Sequence, residues 1–235
     1  MRVIHLLAAL WLGVCATAVP AQSAPATLVM TVINDLGHAI EAAQAELAGP
    51  KALVAAQQIV QRSIVPRMDF PRITRDAVGN AWSGAGPVQR SALETEFRQL
   101  LTHVLARLVV INKGETLVVA DDASTVISGD TARVTAQRAK GIPGGQNQPV
   151  VVSLVRGAEG WRIVELRIDG IEVVKLYSAN FAVVMEREGG IDGLVRALAA
   201  RNAANAKAEL SATAAVAPAP RPARAEDFCV TCSTP

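Results

Sequence analysis

The stretch from Trp161 to Arg201, WRIVELRIDGIEVVKLYSANFAVVMEREGGIDGLVRALAAR, constrains the fold more than any other part of the chain. Within it, Val164, Leu166 and Ile168 recur at every second position. Successive side chains of a strand point to opposite faces, so this period predicts a half-buried strand from Trp161 to Asp169. The pattern then turns helical, breaks at Gly189-Gly190 and turns helical again.

Upstream of this stretch the chain reads as helices first and strands afterwards. Pro25 suits a first helical turn, with Ser23 as a candidate cap. Leu28, Val29, Val32, Ile33, Leu36 and Ile40 follow helical spacing and form one stripe. Gly49-Pro50 ends that helix, and a second is expected from Lys51 to Ser63, broken by Pro66. Asp69 is a good N-cap for a short helix through Val78. Gly84 to Pro87 is a linker. Pro87 opens the strongest helix, whose Leu93, Phe97, Leu100, Leu101, Val104, Leu105 and Leu108 share one apolar face; Gly114 stops it. Strands are expected over Thr116–Ala120, Thr131–Lys140, Val150–Arg156 and Trp161–Asp169. They are separated by turn residues at Gly129-Asp130, Gly144-Gly145 and Gly157 to Gly160. This order predicts an α+β fold with helices on one face of a curved sheet of about four strands.

The two ends differ from this middle. Arg2 followed by the apolar run Val3 to Val14, with small residues at Val19-Pro20-Ala21, predicts a cleavable secretory signal over residues 1–21 and a mature start at Gln22. The run is short of the roughly 20 residues a membrane span needs, and Val14 is a poor residue to precede a lipidated Cys15. From Ala203 the composition changes to Ala, Asn and Lys and then to Ala-Pro repeats. Such sequence cannot bury enough apolar surface to offset chain entropy, so Ala204 to Pro235 is expected to be disordered. Residues 22–203 remain as one domain, long enough for a real core. Without Arg2 the 23 Lys+Arg become 22 against 21 Asp+Glu. No basic block occurs, which argues against a nucleic-acid partner.

The order GxWRIxxLRIDGIEVVxxYxxxF followed by GGIDGLVRAL resembles the C-terminal core of the MlaC/toluene-tolerance family. Ile64-Val65-Pro66-Arg67-Met68-Asp69-Phe70 and Trp82 extend the likeness, which spans roughly Pro25 to Asn202. The motifs are short and apolar, and their order and spacing carry the specificity. Members of that family are periplasmic carriers of phospholipid between the two membranes of a diderm envelope. The resemblance implies an NTF2-like cone with extra helices, enclosing an apolar cavity. It also implies phospholipid as cargo with no cofactor, and a monomer that meets two partners. One is an inner-membrane MCE-domain protein with its ABC transporter; the other is an outer-membrane lipoprotein associated with a porin.

Residues that could carry chemistry are few. Outside the signal only His38 and His103 remain; His38 lies opposite its helix stripe and His103 at the flank of the next, so both read as solvated. A metal site or a nucleophile–histidine pair on them is not expected. Cys229 and Cys232 form a C-x-x-C three residues from the end, with no helix to lower a thiol pKa. They read as a small loop or free thiols. Asp69, Asp169 and Asp192 each have a local role, as a cap, before the turn at Gly170, and in the first turn of the last helix.

What remains is aliphatic surface with few aromatics. If the cone holds a cavity, Val150, Val152, Leu154 and Ile163 are its expected strand-borne lining. Val173, Val174, Tyr177 and Phe181 are expected from the following helix, with Leu108, Val65 and Phe70 completing the set. The leading expectation is a non-enzymatic carrier of lipid between outer and inner membranes, maintaining outer-membrane asymmetry with the headgroup outside. The alternatives are an NTF2-like enzyme on a small hydrophobic substrate, needing Asp169 or Tyr177 inside the cone, and an envelope adaptor with a filled core.

Overall fold

Pro25, whose fixed φ is already helical, occupies the first turn of α1 (Pro25–Ala42). The computed structural model describes residues 24–112, 117–119, 124–139 and 149–214. The signal region, Ser23, Gly114, Gly144-Gly145 and the C-x-x-C lie outside them. The cap of α1 is Ala24, which makes no side-chain bond.

A short α2 (Gln44–Ala48), not expected from the pattern, precedes α3 (Ala52–Ser63). After a 3-10 turn over Val65–Arg67 comes α4 (Phe70–Val78). Its expected cap is present, since Asp69 Oδ1 accepts from the Arg72 N–H at 3.1 Å. The Asp69 N–H in turn donates to the Ile163 carbonyl at 2.9 Å, and Met68 bridges to Ile163 in parallel. The helix start is thereby tied to the sheet. A 3-10 turn over Gly79–Gly84 leads to α5 (Pro87–Ile111), where the Gln89 side chain accepts from the Gly86 N–H.

The strands are β1 (Leu117–Val118), β2 (Thr125–Ser128), β3 (Thr131–Arg138), β4 (Val150–Gly157), β5 (Gly160–Ile168) and β6 (Ile171–Glu172). They form one antiparallel sheet in the order β1-β3-β4-β5-β6, with β2 paired to β3. The expected count of about four was low. Both β6 and β1 are two residues long, and β2 exists because Ser128 and Thr131 close a tight hairpin at Gly129, φ 58°.

In β3 and β4 the inward positions are Ala132, Val134, Ala136 and Val150, Val152, Leu154, all buried. In β5 the expected even alternation fails. Leu154 pairs with Ile163, but Ser153 pairs with Glu165, so Val164 is an extra residue. Ile163 upstream and Leu166 downstream of this bulge therefore sit on one face. A bulge re-aims its side chains. Here Glu165 accepts from the Val174 N–H at 2.8 Å and the Lys175 N–H at 3.0 Å, capping α6 (Val173–Glu188). It also accepts from the Leu166 N–H at 2.8 Å. Burial pushes the Glu165 carboxyl above the usual carboxylate range, against the pull of these three donors.

Gly189, at φ 84°, ends α6, and α7 (Gly190–Ala214) folds back on it. The turn is close enough that a Cβ on Gly193 would overlap the Glu188 carbonyl. The expected boundary at Ala203 falls inside α7, which continues helical to Ala214. The side chains of this stretch explain the difference. Asn202 is buried and its Nδ2 donates to the Glu96 carbonyl at 2.9 Å and to Glu96 Oε2 at 2.7 Å. About two turns later Glu209 reaches His103 on α5 at 2.7 Å.

Candidate functional site: an apolar cavity between two helices and the sheet

The α5 stripe expected as a single face does two jobs. Leu93, Phe97, Leu100 and Leu101 are each no more than 2% exposed and belong to solid core; burying each contributes roughly 1.5–3 kcal/mol. Phe97 packs edge-on against Tyr177 and Phe181 of α6, with ring centroids 5.1 and 4.9 Å away. Further along, Leu105, Leu108 and Val109 face an open cavity of about 200 Å³.

The opposite wall is α1, through Val29, Val32, Ile33, Leu36 and Ile40. The floor is the inward face of the sheet, with Ala136, Val150, Val152, Ile163, Leu166 and Ile168; Leu117 and Ile64 close the sides. The lining is overwhelmingly aliphatic. Its polar members are Asn112, the C-cap of α5, and Arg138. Arg138 occupies the last inward position of β3, after Ala132, Val134 and Ala136. Its side chain is 5% exposed and its Nη1 donates to Asp169 Oδ1 at 2.9 Å.

Of the residues expected to line a cavity, Leu108, Val150, Val152 and Ile163 are brought together in this wall. Phe70, Leu154, Val173, Val174, Tyr177 and Phe181 are seated instead in the packed core. Tyr177 and Phe181 pack their rings with Phe97 between α5 and α6. Val65 lies beside a second, polar cleft of about 450 Å³ between α3, α5 and α7. Sequence reasoning did not assign the α1 wall to the cavity, nor Leu105, Val109 and Arg138. The α1 stripe was visible, but periodicity does not say whether a stripe meets another side chain or empty space. Arg138 left a clearer trace, as a charge in step with three inward-facing apolar residues.

His103 departs from expectation. It is 8% exposed, not solvated, and is held in the polar cleft by Glu209 and, more loosely, by Gln57. Gln57 Nε2 also donates to Glu209 at 2.7 Å. Burial pushes the His103 imidazole below its usual range; the Glu209 bond opposes this, while Arg107 and Arg201 reinforce it. The flank of the α5 stripe is covered by the continuation of α7 past Ala203, which the composition did not predict. Asp169 is half exposed at the rim of the cavity, and Tyr177 belongs to the aromatic core. Among the described residues no three His, Cys, Asp or Glu side chains gather into a metal set, and no helix is long and apolar enough to cross a membrane.

With α1, α5 and the sheet enclosing an apolar space, the known proteins that share this arrangement become informative. The family model described as MlaC protein matches residues 31–200, from within α1 to within α7. The chain belongs to the MlaC family. It is also similar to the solved structure of a phospholipid-binding protein from Ralstonia solanacearum, determined in complex with a phospholipid. The TM-score is 0.67 at 26% sequence identity, over 78% of this chain and 99% of that one. No curated protein matches the chain. The aromatic core and all of the cavity lining except Val29 fall within the MlaC match.

Proposed function

We propose that this protein is a periplasmic phospholipid carrier. The acyl chains occupy the cavity between α1, α5 and the sheet, and the headgroup stays at the rim. The observation that carries this reading is an open, aliphatic cavity in a chain of the MlaC family. The phospholipid bound to the Ralstonia solanacearum protein supports it. Two acyl chains contain about 30 methylenes, each worth about 0.8 kcal/mol on leaving water, so their complete burial sets an upper figure of roughly 24 kcal/mol gross. That holds a lipid against water, while the difference from a bilayer is far smaller because the chains are buried in either place. A shuttle works in that regime, and no catalytic step is required of it. Of the groups an enzyme would draw on, Asp169 sits at the rim and Tyr177 in the core, which favours a carrier.

The proposed route runs between outer and inner membranes and maintains outer-membrane lipid asymmetry. The cleavable signal delivers the chain to the periplasm as a monomer. Its docking partners are an inner-membrane MCE-domain protein with its ABC transporter and an outer-membrane lipoprotein–porin complex. The test is native mass spectrometry of protein purified without detergent, followed by lipid extraction. Phospholipid bound without any having been added is expected. Only lipid-free protein would sink the carrier reading.

A further inference from the structure

We propose that Arg138, paired with Asp169, holds the phosphodiester of the cargo at the cavity rim, and thereby distinguishes phospholipids from lipids without a phosphate. This rests on the carrier reading above. Arg138 follows Ala132, Val134 and Ala136 on the inward face of β3, and those three are at most 3% exposed. A charge at the next inward position is costly unless it is paired. The pairing found is one-sided. The guanidinium side chain is 5% exposed, while the Asp169 side chain is 45% exposed. The ion pair therefore marks the boundary between the apolar cavity and water.

Asp169 is held there by unusual backbone. Its φ of 50° is the one positive value at a non-glycine among the described residues, in the turn from β5 to β6. Aspartate tolerates this region better than most residues, and such conformations cluster at ligand sites. An amphiphile with its chains in the cavity places its polar group at this depth. In a diacyl phospholipid the anionic group nearest the chains is the phosphate. Arginine matches phosphate oxygens with two parallel N–H donors. An incoming phosphodiester replaces or shares the Asp169 carboxylate as partner, and Asp169, already in water, loses little on release. A fatty-acid carboxylate or free phosphate offers related chemistry, so the test separates them.

The experiment measures release from loaded protein to acceptor vesicles for three probes: phosphatidylglycerol, diacylglycerol with the same chains, and the free fatty acid. Wild type should release phosphatidylglycerol about tenfold more slowly than diacylglycerol, a difference of about 1.4 kcal/mol. Arg138→Gln should abolish that ratio by speeding phospholipid release alone, and Arg138→Lys should retain part of it. Asp169→Asn, which weakens the competing pair, should slow phospholipid release without changing diacylglycerol. Equal release of the two lipids by wild type overturns the proposal but leaves the carrier reading intact; failure to load either lipid overturns both. Fatty acid held more tightly than phospholipid also overturns it, as does a saturable calorimetric signal with inorganic phosphate alone that Arg138→Gln removes. If Arg138→Gln does not fold, Asp169→Asn decides, and no change in phospholipid release then counts against the proposal.

Discussion

Replacing Val152 by glutamate puts the cavity wall to its sharpest test. Val152 is 6% exposed, pairs with Val134 and Leu166 on the neighbouring strands, and lines the cavity. Val134 is four residues from Arg138, about 13 Å along a strand, and Arg138 is already bonded to Asp169. The new carboxylate thus meets aliphatic neighbours. A buried glutamate of this kind has a pKa raised to about 8–9. Taking up a proton at pH 7, against an ordinary value of about 4.3, costs about 4 kcal/mol at 1.36 kcal/mol per unit. The cavity is open, so hydration of the carboxylate makes this an upper figure. For a chain of this size 1 kcal/mol moves Tm by about 2–4 °C, so Tm at pH 7 should fall by up to about 8–16 °C.

The sign follows from the raised folded-state pKa. The folded variant binds a proton that the unfolded chain has lost, so its stability falls as pH rises from about 4 to about 8. Circular-dichroism melting at pH 5 and pH 8, paired with lipid content by mass spectrometry, reads both effects. Tm should stay near wild type at pH 5 and drop at pH 8, with reduced lipid occupancy at pH 8. A variant that melts like wild type at pH 8 and stays fully loaded would refute the placement of Val152 in the wall. Leu101→Glu is the control: Leu101 is 1% exposed on α5 and lies outside the cavity, where no water can reach the charge, so the variant should fail to fold.

Two further perturbations address the frame around the cavity. Glu165→Ala removes the acceptor for the Leu166, Val174 and Lys175 N–H groups and should cost about 1–2 kcal/mol, read as a lower Tm. Because burial raises the Glu165 pKa in the folded state, its stabilisation of wild type is greatest below the ordinary glutamate range and declines as pH rises through the raised value; the alanine variant should lack that decline. Ending the chain after Ala203 removes Glu209, the partner of His103 and the acceptor of Gln57; Tm should fall by several degrees, about 1–2 kcal/mol, and an unchanged Tm would mean that the last part of α7 contributes nothing to the fold.

Much of the local structure was determined by the sequence alone. Asp69 before Phe70 dictated the start of α4, Pro87 that of α5, and the Gly189-Gly190 pair the break between α6 and α7. Each follows from a backbone preference acting within a few residues, and each appears where the pattern put it. The α+β order and the long α5 stripe were legible for the same reason, because 3.6- and 2-residue periods are properties of neighbouring positions. What periodicity does not carry is the identity of the partner. The bulge at Val164 exists only in the pairing of β5 with β4, and it moves Ile163 inward and turns Glu165 onto α6. The helical state of residues 204–214 and the burial of His103 go with long-range contacts that composition does not reveal, those of Glu209 with His103 and Gln57 among them. The cavity itself was decided by tertiary structure alone. Leu101 and Leu108 lie on one stripe of one helix and look alike in the chain, yet the first meets packed side chains and the second an open space. An apolar residue is driven from water with the same force in either case; whether a neighbour fills the space before it depends on how distant elements pack.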